Sequence, residues 1–373
     1  MNFLKQERAA LETLLPGLDA ALARVPLLEM ERPGNPSIAT YRQFGGPGLL
    51  IPARFGGRGA TPLQAMRAQR AVASRAPSLA VATTMHHFTV ASVVEMSPGE
   101  PGPEGALLEA VAGGNLYMAS GFAEGQTATS VLSSAVRVER GPGGLILNGS
   151  KKPCSLSLSM DLLTVSTPAP EGIGTGLAIA VVPADAPGIE RRPFWHSPIL
   201  AGAESDEVIL RDVPVPEHAF FPAGGPGRVD ALQDRSFLWF ELLITTSYLG
   251  IASALVERVL AAGRGGVTER VSLATELEGA MAALESVARA MEAGERGNDE
   301  LARMLLVRYA VQAAIERGTS QAVELLGGMA FVRSPEVSYL LAAARALAFH
   351  PPSRLTAAKR LDEYLAGNPL VLD

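Results

Sequence analysis

A chain of 373 residues, 47% hydrophobic and 19% charged, is long and apolar enough to bury a large core in two or three structural units. Its net charge of -6 argues against a nucleic-acid partner, because a phosphate backbone calls for a basic footprint. The single cysteine, Cys154, excludes an internal disulfide framework and a cysteine-built zinc cluster, and it fits a reducing compartment.

The first residues, MNFLKQERAALETLL, mix charged and apolar positions at helical spacing, so they do not read as a signal peptide and the protein is expected in the cytoplasm. Leu11, Leu14, Leu15, Leu18 and Leu28 form an apolar stripe. A turn at Pro52-Ala53-Arg54-Phe55-Gly56-Gly57 precedes Ala-, Val- and Leu-rich helices from Pro62 through Met96. Residues 1–114 are therefore expected to be a helical domain. His86 and His87 lie in it. Adjacent residues on a helix diverge by a quarter-turn or more, so the pair does not read as two ligands of one metal, and no metal is expected.

From residue 115 the period changes. Leu116–Phe122, Ala135–Glu139, Leu145–Leu147, Leu162–Ser166, Leu177–Val182 and Glu207–Leu210 are short apolar runs broken by GPGG, PAPEGIGTG and DAPG, the pattern of an antiparallel β-domain or barrel. Asp212-Val213-Pro214-Val215-Pro216 closes it, which places the domain at 115–224. Residues 225–373 return to helical patterning. Leu273, Leu277, Met281, Leu284, Val287 and Met291 make one buried face, and Asn298 and Ser334 are expected helix caps, the latter followed by Pro335. The nearly continuous apolar run from Phe237 to Val256 could span a bilayer by length. It stands alone, carries Thr and Ser and one charge, Glu241, and is followed by amphipathic helices, so it reads as the core helix of a bundle and no membrane is expected.

Within the β-region, MASGFAEGQTATSV and LNGSKKPCS are loops of small and hydroxylated residues that each follow an apolar strand. Either they mark ordinary turns or they bring backbone close to a flat, phosphorylated ligand. Their spacing resembles the acyl-CoA dehydrogenase superfamily, whose Thr-Glu-Pro-x-x-Gly-Ser-Asp and Asn-Gly-x-Lys-x-Trp-Ile-Thr/Ser loops hold the two sides of a flavin. Ala123-Glu124-Gly125 with Thr129-Ser130 sits in the first pattern, and Asn148-Gly149-Ser150-Lys151 with Ser155 in the second. Ala123, Gly125 and Pro153 replace the usual Thr, Pro and Trp. The Pro-x-x-Phe-Gly-Gly turn and the Asp-Val-x-Val-Pro segment resemble further landmarks of the superfamily. The resemblance covers essentially the whole chain and implies an α+β fold: an N-terminal all-α domain, a central antiparallel β-barrel domain and a C-terminal four-helix bundle.

The resemblance also implies FAD as cofactor. Phe122 and Ala123 would face its pyrimidine, Thr129 its pyrophosphate, and Ser155 would offer a hydroxyl to N5. Arg264 and the Gly327-Gly328 pair would reach the FAD of a second subunit, which implies a homodimer or homotetramer. The superfamily's catalytic carboxylate usually stands near the C-terminus, where this chain has Phe349-His350-Pro351-Pro352-Ser353. His350 takes the carboxylate's place, and Ser353 is the hydroxyl of that segment on the cofactor side. A rarer position lies on the first long helix of the bundle, nine residues before a Gly, and Glu241 with Gly250 matches it. The expected activity is therefore dehydrogenation of an acyl thioester, on CoA or a carrier protein. Glu241 would remove the α-proton, the flavin would take the β-hydride, and a partner flavoprotein could accept the electrons. Flavin monooxygenases built on this fold use histidines near the flavin, so a second reading makes His350, partnered by His86 or His87, the chemical residue. A third is a family member without catalysis.

Overall fold

The computed structural model describes residues 1–97, 102–125, 134–141, 144–174, 176–223 and 229–371. Among the described residues, seven helices open the chain: α1 Lys5–Leu14, α2 Leu18–Ala23, α3 Leu27–Met30, α4 Pro36–Gln43, α5 Pro62–Arg75, α6 Pro77–Met96 and α7 Pro103–Gly114. Local chemistry starts several of them. Asn35 caps α4 by accepting from the Ser37 N–H, and Thr61 and Gln64 form a reciprocal capping box on α5, each ahead of a proline in the first turn. The leucine stripe is divided among three helices, because Pro16 and Gly17 separate α1 from α2 and Leu28 falls on α3. Leu11, Leu14, Leu15 and Leu18 are buried within it.

Among the described residues, eight strands follow: β1 Met118–Gly121, β2 Arg137–Gly141, β3 Gly144–Cys154, β4 Leu162–Pro168, β5 Leu177–Pro183, β6 Ile189–Arg192, β7 Asp206–Val215 and β8 Phe220–Pro222. They form two four-stranded sheets, ordered β1-β4-β5-β8 and β2-β3-β7-β6. Every pairing is antiparallel except β1 with β4, where Met118 lies beside Leu162 in parallel register. The β2–β3 hairpin turns where Gly141 faces Gly144. β6 and β8 are not apparent from sequence patterning, since Ile-Glu-Arg-Arg lacks an apolar alternation and Phe-Phe-Pro is only a fragment of one. The Asp212–Val215 segment continues β7, and β8 follows it.

The C-terminal region holds α8 Val229–Ala261, α9 Val267–Glu292, α10 Asn298–Leu326, α11 Gly328–Arg333, α12 Pro335–Ala344, a 3-10 turn over Arg345–Phe349, and α13 Arg354–Leu365. α8 packs against α9, α10 and α12 as part of a four-helix bundle and against α5 and α6 on another side. By length and composition it could cross a bilayer, but its apolar window is wholly covered by protein. Gly250 permits that packing: a β-carbon there would come within 2.5 Å of the Arg70 carbonyl oxygen on α5. The expected α+β arrangement of N-terminal helices, central sheets and C-terminal bundle is the one observed. Of the two expected caps, Ser334 stands at the cap of α12 without a side-chain hydrogen bond, and the other is displaced. Gly297 occupies the cap of α10, and Asn298 instead pairs with both main-chain groups of Leu370, at 2.8 and 2.9 Å.

Candidate active site

β1 carries the chain into Phe122 and Ala123, and β3 brings Lys151 and Lys152 alongside. The Lys152 N–H donates to the Ala123 carbonyl at 2.8 Å. Beneath this, the Nζ of fully buried Lys151 donates to Glu124 Oε1 at 2.6 Å and to the hydroxyls of Ser166 and Ser134 at 3.0 and 3.1 Å. Burial lowers the Lys151 ammonium from its ordinary value, with Glu124 opposing. The Glu124 carboxyl is pushed up by burial, but hydrogen bonds from Lys151 and the Ala135 N–H outweigh this and hold it below the usual range. The loop after β1 is thus latched to β3 by a buried ion pair. Ser155, just past β3, shares a buried 2.9 Å hydrogen bond with Ser205. Thr129 lies outside the described residues.

A row of rings leads from this latch to the C-terminal segment. Phe122 stacks edge-on with Phe88 of α6, with centroids 5.8 Å apart, and Phe88 with Phe240 of α8 at 5.7 Å. The His350 ring follows, 6.3 Å from Phe240 and 5.3 Å from Tyr248. Its Nε2 is 2.8 Å from the Tyr248 hydroxyl. Part of His350 reaches solvent, but its ring is packed among these aromatics. Burial lowers the imidazole to about 3, and the charge of Arg308 adds to the effect. The ring is therefore neutral at ordinary pH. Burial likewise raises the Tyr248 phenol, so its oxygen keeps its proton.

Glu241 is fully buried and not free to receive a substrate proton. Arg308 Nη1 donates to its two oxygens at 2.8 and 2.7 Å, and neither side chain is exposed. Burial raises the Glu241 carboxyl to about 7, against the downward pull of Arg308. The other guanidinium nitrogen, Nη2, donates to the carbonyls of His350 at 2.6 Å and Leu347 at 3.2 Å. Tyr309 donates to the Pro352 carbonyl at 2.9 Å. The His350 N–H closes the 3-10 turn on Leu347 O at 3.2 Å, so it is engaged within its own segment.

His86 and His87 do not join His350. His86 accepts from the Met118 N–H at Nδ1, at 3.0 Å, which leaves Nε2 to donate to the Pro47 carbonyl at 2.9 Å. His87 pairs with the Tyr41 hydroxyl at 2.8 Å. Both are fully buried, and burial lowers His86 to about 4 and His87 well below the usual imidazole value. They tie α6 to the N-terminal turns and to β1.

Arg264, Gly327 and Gly328 lie elsewhere in the chain. Arg264 follows the end of α8, and from Glu241 to Ala261 that helix runs about 30 Å. It is exposed, and the neighbouring Gly265 abuts Leu325, so the turn packs against the end of α10 where Gly327 and Gly328 follow. Ser353 caps α13, accepting from the Thr356 N–H. Arg308, Tyr248, Phe88 and Ser205 were not singled out by sequence. Only the 3- and 4-residue spacing of α8 signals Tyr248, which sits two turns beyond Glu241 on the same face.

No protein-family model matches the chain. An isobutylamine N-hydroxylase of Streptomyces viridifaciens is 46% identical over 376 residues, spanning 99% of this chain and 100% of that protein. Among solved structures, KijD3 in complex with FMN and dTDP-3-amino-2,3,6-trideoxy-4-keto-3-methyl-D-glucose superposes with a TM-score of 0.83 at 21% identity, covering 96% of this chain and 94% of the other. A nitrososynthase from Micromonospora carbonacea var. africana gives a TM-score of 0.81 at 21% identity, covering 96% of each chain. Full-length identity to an amine hydroxylase overturns the expected acyl-thioester dehydrogenase activity. With it falls the role of Glu241 as α-proton base, and the Arg308 contacts give the physical reason. The chain belongs to the family of isobutylamine N-hydroxylase, within the acyl-CoA dehydrogenase-like flavoprotein superfamily.

Proposed function

We propose that this protein N-hydroxylates a small aliphatic primary amine, using dioxygen and a reduced flavin. The observation that carries the reading is the 46% identity to isobutylamine N-hydroxylase along the whole chain. Geometry supports it: the two places where the superfamily resemblance expects a catalytic carboxylate hold an arginine-bound Glu241 and a neutral His350.

The residues at the two loops fit a flavin ring. Phe122 offers a half-buried aromatic face, and the Ser155–Ser205 pair shares one hydrogen bond between two hydroxyls, leaving a second hydroxyl proton to donate onward. Phe122, Ala123 and Ser155 would hold the ring of either FAD or FMN. When bound in its reduced form, the flavin supplies the two electrons with which one oxygen atom of dioxygen is added to nitrogen and the other leaves as water. Phe88, Phe122 and Phe240 exclude water and would line the alkyl group. Glu95, near this wall, is bound by Arg296 at 2.5 Å and by Trp239 at 3.3 Å, and Glu241 by Arg308. The wall thus suits an uncharged amine, the form whose nitrogen has a free lone pair. His350 would hold a hydrogen bond at the reacting nitrogen or oxygen, oriented by Tyr248.

A second copy of the chain would cover the end of the bundle where Arg264, Gly327 and Gly328 meet. Exposed Val267, Val271, Met329, Phe331 and Val332 on α9 and α11 support such a dimer, or a dimer of dimers. The acyl thioester and the electron-accepting flavoprotein are not part of this reading. The test is incubation with chemically reduced FAD or FMN, oxygen and a panel of short primary amines, followed by mass spectrometry. Formation of the alkylhydroxylamine is expected. Failure to oxidise any amine, with bleaching of the flavin by an acyl thioester instead, would overturn the proposal.

A further inference from the structure

We infer that Arg308 is a positioning residue: its guanidinium splints the main chain on both sides of His350, and Glu241 serves to hold that guanidinium in place. The inference rests on the reading that His350 faces the reacting atoms, and it assigns Glu241 a part in the same site without any proton transfer.

The geometry runs outward from the bundle core. The segment that carries His350 is poor in hydrogen bonds of its own. It leaves a 3-10 turn closed by a single long bond from the His350 N–H to Leu347 O, at 3.2 Å, and enters Pro351-Pro352, which have no N–H to donate. Arg308 takes up the segment's carbonyls: Nη2 binds Leu347 O at 3.2 Å and His350 O at 2.6 Å, and Nη1 approaches Pro351 O at 3.4 Å. The next residue on α10, Tyr309, binds Pro352 O at 2.9 Å. The ring itself is held from α8 by the Tyr248 hydroxyl. Main chain and imidazole are thus fixed to two helices of the rigid bundle rather than to the loop that supplies them.

Arg308 suits this task because a planar fork addresses several acceptors at fixed angles, which a lysine ammonium does not. A buried guanidinium needs a counter-charge; contact of Nη1 with both Glu241 oxygens supplies it, and with the Nη2 contacts to the His350 and Leu347 carbonyls it orients the fork. The ionisable groups around the His350 ring are then Tyr248 and Glu241 on α8 and Arg308 and Tyr309 on α10.

The test compares Arg308→Lys with a neutral double variant, Glu241→Gln with Arg308→Gln, which leaves no lone buried charge if the lysine variant fails to fold. Flavin-free protein is followed by amide hydrogen exchange at residues 347–350 and by the ¹⁵N resonances of the His350 ring; flavin-loaded protein is assayed for kcat and KM. The splint predicts exchange at 347–350 at least ~10-fold faster, with exchange elsewhere in α8 and α10 changed less, and a ring resonance moved toward that of a mobile imidazole. It also predicts kcat reduced at least ~10-fold with KM within about threefold, as expected when a reacting group is misplaced but substrate binding persists. Unchanged exchange and ring resonances in a folded variant would overturn the splint. If His350→Ala retains full activity, the reading of His350 fails and the catalytic consequence with it, while exchange still reports on the splint.

Discussion

Tyr248 and His350, 102 residues apart, meet through a 2.8 Å hydrogen bond that joins the core helix of the bundle to a proline-bound turn. The contact packs the imidazole among rings, and burial is the first reason its proton affinity is low. In ring-resolved NMR, His350 should remain neutral between about pH 5 and 8, where an unperturbed histidine titrates. A midpoint near 6.5 would contradict the packing seen here.

The Glu241–Arg308 pair should cost far more to break than to remove. Glu241→Leu leaves a buried guanidinium without its counter-charge and is expected to destabilise the fold by about 3–5 kcal/mol. Glu241→Leu combined with Arg308→Met removes both charges and leaves the Leu347 and His350 carbonyls without that donor, at about 1–3 kcal/mol. Urea denaturation of the two variants measures the difference. A double variant less stable than Glu241→Leu would count against the assignment.

Glu31 predicts a pH dependence of stability. It is buried at the N-terminus of α6, where it accepts from the Ser78 N–H and hydroxyl, and it also accepts from the Tyr339 hydroxyl of α12. Burial raises its carboxyl from 4.5 to about 7, with the Ser78 and Tyr339 hydrogen bonds opposing. Because the folded state holds the proton more tightly than the unfolded chain, this contribution is fully present below about pH 4.5. It is lost as pH rises through about 7, amounting to up to about 3 kcal/mol. Glu31→Gln should remove that slope. The stability difference between wild type and variant, measured by denaturation across this range, should shift toward the variant as pH rises, and a constant difference would refute the linkage.

The Lys151–Glu124 latch predicts flavin affinity. Lys151→Met keeps the length of the buried side chain but removes the counter-charge of Glu124, so the Phe122–Ala123 loop keeps only its main-chain bond to β3. Flavin fluorescence quenching should then show a Kd at least ~10-fold weaker, because ordering the loop on binding offsets part of the contact energy. An unchanged Kd would separate the latch from the flavin site.

The order helix, sheet, helix was legible from residue patterning alone, since apolar spacing changes from about 3.6 to 2 and back, and that spacing is a local property. The same holds for the Pro62 and Pro335 helix starts and for the loop around Phe122, whereas the segment before Ser155, which reads as a loop, is the second half of β3. Strands without that pattern escaped it: β6 and β8 exist because β7 and β5 lie beside them. Asn298 looks like a helix cap in isolation, and only the folded tail at Leu370 gives its amide a better partner.

The site divides in the same way. That Glu241 stands alone in an apolar run can be read directly, and so can the replacement of a C-terminal carboxylate by His350. What each group does depends on groups 67 and 102 residues away, Arg308 for Glu241 and Tyr248 for His350. A carboxylate buried among apolar side chains is a base if it is alone and a tether if a guanidinium faces it, because the guanidinium then occupies both of its oxygens and opposes the desolvation that raises its proton affinity. Charge partnership of this kind is a property of distances between side chains, which one-dimensional spacing does not carry beyond the next turn of a helix.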